Sequence, residues 1–346
     1  MKKLLEYDRV DISYNGKPAV QDISVQLSEG EILGIVGESG SGKSTLIKAA
    51  MGLLGPAGMV TRGDIWYKGK NLPDLSAAEL RRLNGPELGM IFQYAGSSFC
   101  PIRTVGAQLY ESMVEHEAVS KEEFTRRAAE LLEKIGFENA RRILDSYPFE
   151  LSGGMRQRVV IAIALACDPD LLICDEPTTA LDVTIQAKIL ELIKKIQKER
   201  GISVIYITHD LGVVAKVADY VNVMYAGKIV EVGNINEIYY DPKHPYTWGL
   251  LSAMPDLETS DDRLYTIPGS PPNLLHEKTG DAFSPRNRFA LEIDDKAEPP
   301  MFKVSETHYA ATWLLDPRAP KCEMPRELSE RIARMKKEAE LDGSEI

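Results

Sequence analysis

Short apolar runs along the chain predict the strands of an α/β fold. Residues 10–14 and 23–27 alternate apolar and polar positions, as strands with one buried face do. Residues 31–36, 171–174 and 203–208 are apolar at nearly every position, which is typical of parallel strands covered on both faces. The pattern predicts a mostly parallel sheet.

Helical patterns separate these strands. Residues 44–51, 156–166 and 184–200 read as helices, and strands that alternate with helices favour the α/β class. Residues 104–117 and 121–135 are helical and charged, and no candidate strand lies between them. We expect them to form a helical insert between two parts of the sheet domain.

The last third of the chain differs from the rest in composition. Residues 234–346 hold 12 of the 20 prolines. Pairs such as Pro271 with Pro272 favour extended, loop-rich backbone. Residues 326–341 differ, because their charge pattern predicts a surface helix.

Composition and charge exclude several classes of protein. The 346 residues include 41 Lys and Arg against 52 Asp and Glu, and a net charge of −11 is unsuited to binding nucleic acid. The longest apolar stretch, residues 159–167, is shorter than the roughly 20 residues that cross a membrane. The four cysteines lack the spacing of a zinc site or a disulfide framework, so we expect a reduced, cytoplasmic protein.

The strongest chemical signal is a glycine-rich segment between the run at 31–36 and the helix at 44–51. It fits the phosphate-loop pattern G-x-x-x-x-G-K-[ST], in which backbone N–H groups and a helix N-terminus surround a phosphate chain. We expect Lys43 to reach the β- and γ-phosphates of a nucleotide and Ser44 to hold Mg²⁺. The candidate nucleotide-binding residues are Gly37, Ser39, Gly40, Ser41, Gly42, Lys43, Ser44 and Thr45.

Two acids end the apolar run at 171–174. The carboxyl ends of parallel strands meet at one edge of a sheet, so Asp175 and Glu176 should lie near the bound phosphates. We expect Asp175 to bind Mg²⁺ through water and Glu176 to polarise the attacking water. A strand followed by a capping acid in an Asp-Glu-Pro turn is the alternative.

A third motif makes a family resemblance specific. Residues 151–155, Leu-Ser-Gly-Gly-Met, open a predicted helix 24 residues before the first of the two acids. Ser152, Gly153 and Gly154 would form a second anion-binding helix start. With the phosphate loop and the acids, this pentad resembles the signature motif of the ATP-binding cassette of ABC transporters. The resemblance covers roughly residues 5–233.

Four further residues match landmarks of that family in the right order. Gln93 resembles the Q-loop glutamine, Asp182 the D-loop aspartate and His209 the switch histidine. Tyr14, 23 residues before the phosphate loop, resembles the aromatic residue that stacks on adenine. The resemblance implies that Gln93 and His209 join Glu176 as catalytic residues and that Gln93 also takes part in the Mg²⁺ site. It implies nucleotide contacts for Asp182 and Tyr14, although each residue alone has an ordinary structural explanation.

The resemblance also implies a domain organisation and an assembly. Residues 1–93 and 151–233 would form an α/β core of the ABC-type P-loop NTPase class, with a mostly parallel sheet and an antiparallel β subdomain. Residues 94–150 would form a helical subdomain and residues 234–346 a loop-rich carboxy-terminal extension. Two cassettes of this family pair head to tail, so that each ATP lies between one phosphate loop and the other signature. The implied partners are a second ATPase subunit, two membrane permease subunits and an extracytoplasmic substrate-binding protein. The chain would then work at the cytoplasmic face of the membrane, with no nucleic acid.

Within that family, the chain resembles the ATP-binding subunits of oligopeptide and dipeptide importers. The residues that carry this likeness are Tyr-Pro-Phe-Glu at 147–150, His-Pro-Tyr-Thr at 244–247 and Ile-Pro-Gly-Ser-Pro-Pro at 267–272. The resemblance implies an ATPase that powers peptide import. A nickel or opine-type importer and a soluble, non-transport ABC ATPase are the alternatives. A further hypothesis makes the extension a regulatory or dimer-locking module.

The extension departs from that family at one point. Many such subunits carry four cysteines that resemble an iron–sulfur site, and this chain has Asp281, Asn287, Asp294 and Thr312 instead. A cluster needs thiolate ligands, so we predict that the chain holds none. Asp281 and Asp294 could hold a hard cation, with ordinary surface carboxylates as the alternative.

Overall fold

The computed structural model describes residues 2–93, 95–179, 181–254, 267–272 and 279–341. The strands of these residues, in chain order, are β1 (Lys3–Tyr14), β2 (Lys17–Ser28), β3 (Ile32–Val36), β4 (Gly58–Tyr67), β5 (Lys70–Asn71), β6 (Leu88–Ile91), β7 (Leu171–Asp175), β8 (Ser203–Thr208), β9 (Tyr220–Tyr225), β10 (Lys228–Asn234), β11 (Phe302–Lys303) and β12 (Tyr309–Ala310). The helices are α1 (Lys43–Ala50), α2 (Ala77–Leu83), α3 (Val105–Val114), α4 (Lys121–Lys134), α5 (Ala140–Asp145), α6 (Gly153–Leu165), α7 (Val183–Arg200), α8 (Leu211–Val214), α9 (Ile235–Tyr240), α10 (Pro245–Ser252) and α11 (Arg326–Leu341).

The smaller sheet is the predicted antiparallel subdomain. Its strands lie in the order β2-β1-β4-β5, and β1 pairs antiparallel with β2 and with β4. Val10 and Ile12 of β1, and Ile23, Val25 and Leu27 of β2, are buried, because alternate residues of these strand segments face the interior. This part of the fold prediction is confirmed.

The larger sheet has the order β11-β12-β10-β9-β3-β8-β7-β6. The pairings from β9 through β3, β8 and β7 to β6 are parallel, and those among β9, β10, β12 and β11 are antiparallel. The predicted parallel sheet is therefore confirmed. The sequence patterns did not predict that two short strands of the extension continue this sheet beyond β10.

Both faces of the parallel strands are covered, as their continuous apolar sequence predicts. On β7, Leu172 and Cys174 face a core formed with helices α3 to α8 and with the extension. Leu171 and Ile173 face a second core formed with α1 and the antiparallel sheet. This double burial fixes the carboxyl ends of the parallel strands, where the loops of the candidate site begin.

Between β6 and β7 the described residues form helices and no strand. Helices α3, α4 and α5 are capped by the residues that precede them, Thr104, Ser120 and Asn139. Each cap side chain accepts a hydrogen bond from a backbone N–H of the first turn. The apolar faces of these helices bury Leu109 and Leu132. The boundaries of the helical subdomain at 94 and 150 remain a prediction.

The extension packs onto the core through helices as well as loops. Helix α9 follows β10 directly and starts with a reciprocal capping box between Asn234 and Glu237. Helix α11 spans the predicted residues, but Leu328 and Ile332 on it are buried. Helix α11 is therefore amphipathic, with one face against the core.

Candidate functional site

The phosphate-loop segment connects β3 with α1 at the centre of the larger sheet. Gly40 and Gly42 have φ values of +82° and +101°, in the left-handed region that favours glycine. A Cβ at Gly37 would lie 2.1 Å from the carbonyl oxygen of Met224, so the loop can run this close to β9 only with glycine. The buried Ser41 hydroxyl finds no hydrogen-bond partner among the residues that the structure describes. The loop therefore forms a tight cradle at a helix N-terminus, whose first N–H groups have no partner within the helix.

Lys43 lies inside this cradle. Its Nζ donates hydrogen bonds to the carbonyl oxygens of Gly37 at 2.7 Å and Glu38 at 2.9 Å. Burial lowers the pKa of Lys43, and the nearby carboxylates of Glu176 and Asp175 oppose that shift. The ammonium group is thus held by neutral carbonyls, from which it can move to a more strongly charged phosphate oxygen.

Ser44 and Asp175 meet at the first turn of α1. The Ser44 hydroxyl donates to Asp175 Oδ1 at 3.0 Å, although the two residues are 131 positions apart. Asp175 is 5% exposed, and burial raises its pKa against the opposing hydrogen bond from Ser44. A hydroxyl and a carboxylate are hard oxygen donors, so this pair fits Mg²⁺.

Glu176 is surrounded by hydrogen-bond donors. Gln93 Nε2 and the Thr179 hydroxyl each donate to Glu176 Oε2 at 3.0 Å. His209 Nδ1 lies 3.3 Å from Glu176 Oε1. The backbone of Glu176 has a φ of +48°, an unusual conformation for a residue other than glycine and one often found at functional sites. The structure therefore brings the predicted residues Gln93, Glu176 and His209 together, and it adds Thr179, which the sequence patterns missed.

The candidate signature lies elsewhere. Ser152 caps α6 by accepting a hydrogen bond from the N–H of Met155, and Asp182 caps α7 in the same way. A Cβ at Gly154 would lie 2.8 Å from the Ile185 side chain, so the starts of α6 and α7 are in close contact. The cavity that Ser152 and Gly154 line has no wall from the phosphate loop. Within one chain, the two predicted nucleotide-binding surfaces are separate.

Tyr14 ends β1 in the antiparallel sheet. Its ring packs against Gly58, where a Cβ would lie 2.7 Å from Tyr14 Cε1. Tyr14 is partly buried. Stacking of this ring on adenine remains a prediction.

The two acids of the extension are not a free surface pair. Asp294 is 2% exposed and accepts a hydrogen bond from the N–H of Leu291, while Asp281 accepts one from the N–H of Phe283. Burial raises the pKa of Asp281 to about 6. In the part of the chain that the structure describes, no group of three or more His, Cys, Asp or Glu residues could hold a metal ion. The surface-carboxylate explanation is therefore wrong for Asp294, which serves as a buried turn cap.

Two family models match the chain. Residues 20–179 match the ABC transporter model, and residues 230–293 match the model of the oligopeptide/dipeptide transporter C-terminal region. The first match covers the phosphate loop and the acids. The second begins in β10 and includes most of the extension that the structure describes before β11.

Relatives of known function resemble the chain over nearly its whole length. The oligopeptide transport ATP-binding protein OppD of Bacillus subtilis is 52% identical over 96% of this chain and 95% of that protein. The dipeptide transport ATP-binding protein DppD of Lactococcus lactis is 48% identical over 99% of both chains. These values are high enough to establish common family membership.

A solved structure supports the fold. It is a dimeric ATP-binding cassette in a post-hydrolysis state bound to ADP and Pi, with a TM-score of 0.60 and 29% identity. The match covers 67% of this chain and 99% of that one. The remaining third of the chain has no counterpart there, as expected if the extension is an addition to the cassette.

Proposed function

The chain belongs to the ABC transporter family, in its oligopeptide and dipeptide branch, and from this we propose that it is the ATP-hydrolysing subunit of a peptide importer. The observation that carries the proposal is the convergence on Glu176 of Gln93, Thr179 and His209, beside the pair of Ser44 with Asp175. The likeness to OppD favours peptides over nickel or opine-type ligands. The net charge of −11 argues against a non-transport ATPase that acts on DNA or ribosomes.

ATP binding is assigned to the phosphate loop. The backbone N–H groups of residues 39–45 would surround the β- and γ-phosphates, with the α1 N-terminus adding positive potential. Lys43 would exchange its loop carbonyls for phosphate oxygens. The residues proposed to contact this nucleotide are Gly37, Ser39, Gly40, Ser41, Gly42, Lys43, Ser44 and Thr45, with Tyr14 proposed to stack on adenine.

Mg²⁺ fits the oxygen donors beside the loop. Ser44 would bind it directly, Asp175 through water, and Gln93 through its amide oxygen. When bound, the ion neutralises charge on the transferring phosphate. Burial raises the pKa of Asp175, and a bound divalent ion would favour its ionised form.

Hydrolysis is assigned to Glu176 and its neighbours. The Glu176 carboxylate would accept a hydrogen bond from the attacking water and orient it toward the γ-phosphate. Gln93 and Thr179 donate hydrogen bonds to the Glu176 carboxylate, and His209, beside the same carboxylate, would contact the γ-phosphate. Positioning and charge neutralisation supply most of the catalysis in phosphoryl transfer, so this rigid arrangement suits the reaction.

A complete site needs two cassettes. The helix start at Ser152, Gly153 and Gly154, together with Asp182, would contact the ATP held by a partner's phosphate loop. This arrangement explains why the two surfaces are separate within one chain. ATP would close the head-to-tail dimer, and hydrolysis would reopen it as a ligand-driven shift between two states.

The transporter would contain further subunits. No helix in the described ranges is long and apolar enough to cross a bilayer. We propose that permease subunits provide the membrane path. The helical segment exposes Ile102 and Phe149, at 83% and 70%, on the part of the chain proposed to dock on them. We place the chain on the cytoplasmic face of the membrane with a second ATPase subunit, two permeases and an extracytoplasmic binding protein as partners.

Affinity purification tests this assembly. The Glu176→Gln variant, expressed in the native cells and solubilised in mild detergent with ATP, should hold the dimer closed. Mass spectrometry should then identify a second cassette protein, two membrane subunits and a peptide-binding protein. The wild-type chain purified without nucleotide is the control.

Capture of ribosomal proteins or nucleic acid in place of membrane subunits would contradict the transport assignment. Capture of permeases with a nickel-binding partner would overturn the peptide assignment and leave the ATPase assignment standing.

A further inference from the structure

The phosphate loop contains a negatively charged residue, Glu38. Glu38 follows Gly37 directly, so a carboxylate lies in the loop proposed to surround the phosphates of ATP. Like charges repel strongly where solvent is partly excluded, and the side chain of Glu38 is only 27% exposed. An uncompensated Glu38 would therefore oppose nucleotide binding.

The extension supplies the compensating charge. Arg286 Nη1 donates to Glu38 Oε2 at 2.6 Å, and Arg286 Nη2 donates to Glu38 Oε1 at 3.0 Å. This is a bidentate pair, the strongest geometry that arginine offers to a carboxylate. The two residues are 248 positions apart, so the pair joins the carboxy-terminal extension to the phosphate loop.

Arg286 is itself fixed. Its Nε donates to the carbonyl oxygen of Pro268 at 2.8 Å, and its Nη1 also lies 3.3 Å from the Tyr225 hydroxyl. The Arg286 side chain is 6% exposed. A lysine could supply the charge here but not the planar fork that makes these contacts at once.

The extension also holds the backbone of the loop. The N–H of Glu38 donates to the hydroxyl of Tyr246 at 2.8 Å. Tyr246, at the start of α10, is fully buried and packs against Tyr225 and Phe283, with ring centroids 4.7 Å and 5.4 Å away. Tyr246 thus reaches the loop from a rigid aromatic cluster.

Glu38 links these contacts to the nucleotide-binding lysine. Its carbonyl oxygen accepts a hydrogen bond from Lys43 Nζ at 2.9 Å. The side chain, the N–H and the carbonyl of this one residue are therefore all held, the first two by the extension. A change in the extension is transmitted directly to the loop beside Lys43.

We propose that the carboxy-terminal extension sets the shape and the local charge of the phosphate loop through Arg286 and Tyr246. The two are positioning residues for ATP, and they act through Glu38. This inference rests on the proposed function, since it assumes that the loop binds ATP. It gives the extension a role in the ATP site of its own chain.

The test measures equilibrium binding of a fluorescent ATP analogue to the full-length chain. Arg286→Ala should raise the Kd at least about tenfold, because Glu38 is then left unpaired beside the phosphates. Arg286→Lys should give a smaller increase, and Tyr246→Phe should weaken binding severalfold. Arg318→Ala is the matched control, because Arg318 lies in the same extension and pairs with its neighbour Asp316 instead of with the phosphate loop.

A double substitution separates positioning from general damage to the fold. In Glu38→Gln with Arg286→Ala, no unpaired carboxylate remains, so the Kd should return to within about threefold of that of Glu38→Gln alone. In the assembled transporter, Arg286→Ala should raise the KM for ATP while kcat at saturating ATP stays within about twofold. If Arg286→Ala damaged the fold, neither the added Glu38→Gln substitution nor saturating ATP would restore the wild-type behaviour.

Three results decide between the alternatives. Wild-type affinity in Arg286→Ala, or no rescue by Glu38→Gln, overturns the inference and leaves the ATPase assignment intact. Failure of the wild-type chain to bind the analogue overturns the proposed function itself. If Arg286→Ala does not fold, unchanged affinity in both Arg286→Lys and Tyr246→Phe overturns the inference.

Discussion

Glu176 meets the greatest chemical demand of any single residue in the site. In its proposed role, Glu176 must remain a carboxylate, face the water that attacks the γ-phosphate and keep one orientation. Its two oxygens are in contact with Gln93, Thr179 and His209, and its backbone adopts a strained φ of +48°. These contacts and this backbone conformation hold the Glu176 carboxylate in one position.

Glu176→Gln should lower kcat for ATP at least about a hundredfold, because an amide cannot serve as the general base. The affinity for ATP should remain near that of the wild type, since the phosphate loop is unchanged. The measurement is phosphate release by the assembled transporter, together with nucleotide binding. Glu199→Gln, the same substitution at an exposed position of α7, is the control. Undiminished turnover in Glu176→Gln would remove this residue from its proposed role.

His244 shows how a residue can matter to stability without chemistry. It caps α10 by accepting a hydrogen bond from the N–H of Tyr246, and it is 1% exposed. Burial lowers its pKa to about 3, so the native state holds it neutral. In the unfolded chain the pKa returns to about 6.5.

Between these two pKa values the unfolded state binds the extra proton, so stability falls as the pH falls. At pH 5, His244 should have lowered the free energy of unfolding by about 2 kcal/mol relative to pH 7. His244→Asn keeps a capping acceptor and loses the titrating ring. Urea unfolding at the two pH values should therefore show a smaller loss in the variant.

The comparison with the variant is needed because Asp281 titrates in the opposite sense. Its raised pKa of about 6 means that the native state takes up a proton first, which adds stability as the pH falls. The difference between the wild type and His244→Asn cancels that contribution. His116→Asn, at a partly exposed histidine, controls for the loss of a ring. An equal loss of stability in the wild type and His244→Asn would contradict this assignment.

At the scale of elements, length and local sequence decided what could be predicted. The buried strands β3, β7 and β8 stand out because each is a continuous apolar run beside a helix. Strands β11 and β12 have two residues each, too few for any periodicity. They exist because β12 pairs with β10, a contact between distant segments that no local pattern contains.

Polar contacts at the edge of β10 hold these short strands in place. Glu231 on β10 is fully buried and accepts hydrogen bonds from the N–H groups of Lys243 and His244. Its Oε1 also lies 2.8 Å from His308 Nε2, beside β12. One carboxylate thus ties the sheet, the start of α10 and the loop before β12.

Glu231→Ala should destabilise the chain by about 3 kcal/mol, because it leaves two backbone donors and one imidazole buried without a partner. Urea unfolding at neutral pH measures the effect. Glu306→Ala is the control, since Glu306 lies in the loop between β11 and β12, is 92% exposed and pairs with Lys303. Equal midpoints for the two variants would show that Glu231 does not hold the extension.

The site divides in the same way between local and distant information. Residues inside a motif, such as Lys43, Asp175 and Glu176, could be predicted because the spacing itself places them. Thr179 lies three residues after Glu176 and could have been found by asking which side chains restrain that carboxylate. Arg286 could not, since only the folded chain brings it to Glu38.

At the scale of the whole molecule, the extension has hydrogen-bond acceptors at the four positions where the family resemblance leads us to expect cysteine. At the four positions where many relatives are expected to carry cysteine, each side chain accepts a hydrogen bond from a nearby backbone N–H. These side chains are Asp281, Asn287, Asp294 and Thr312. Oxygen acceptors therefore cap local turns where thiolates would bind iron.

Iron and acid-labile sulfide should be absent from the chain purified anaerobically, because none of these side chains is a thiolate. The assay is metal and sulfide content per mole of folded protein. A homologous subunit that carries the four cysteines, purified in parallel, is the positive control. Iron and sulfide at cluster stoichiometry would contradict the prediction.

In the proposed assembly, the ATP site is divided between two chains, and ATP closes the dimer. Closure of the dimer can power import only if it is coupled to transport of the peptide substrate. The most direct measurement is ATP hydrolysis by the reconstituted transporter in liposomes, with and without oligopeptide and binding protein. We predict hydrolysis that peptide stimulates and that Lys43→Ala in this chain abolishes. Hydrolysis indifferent to peptide, or peptide uptake that survives Lys43→Ala, would contradict the proposal that ATP bound here powers peptide import.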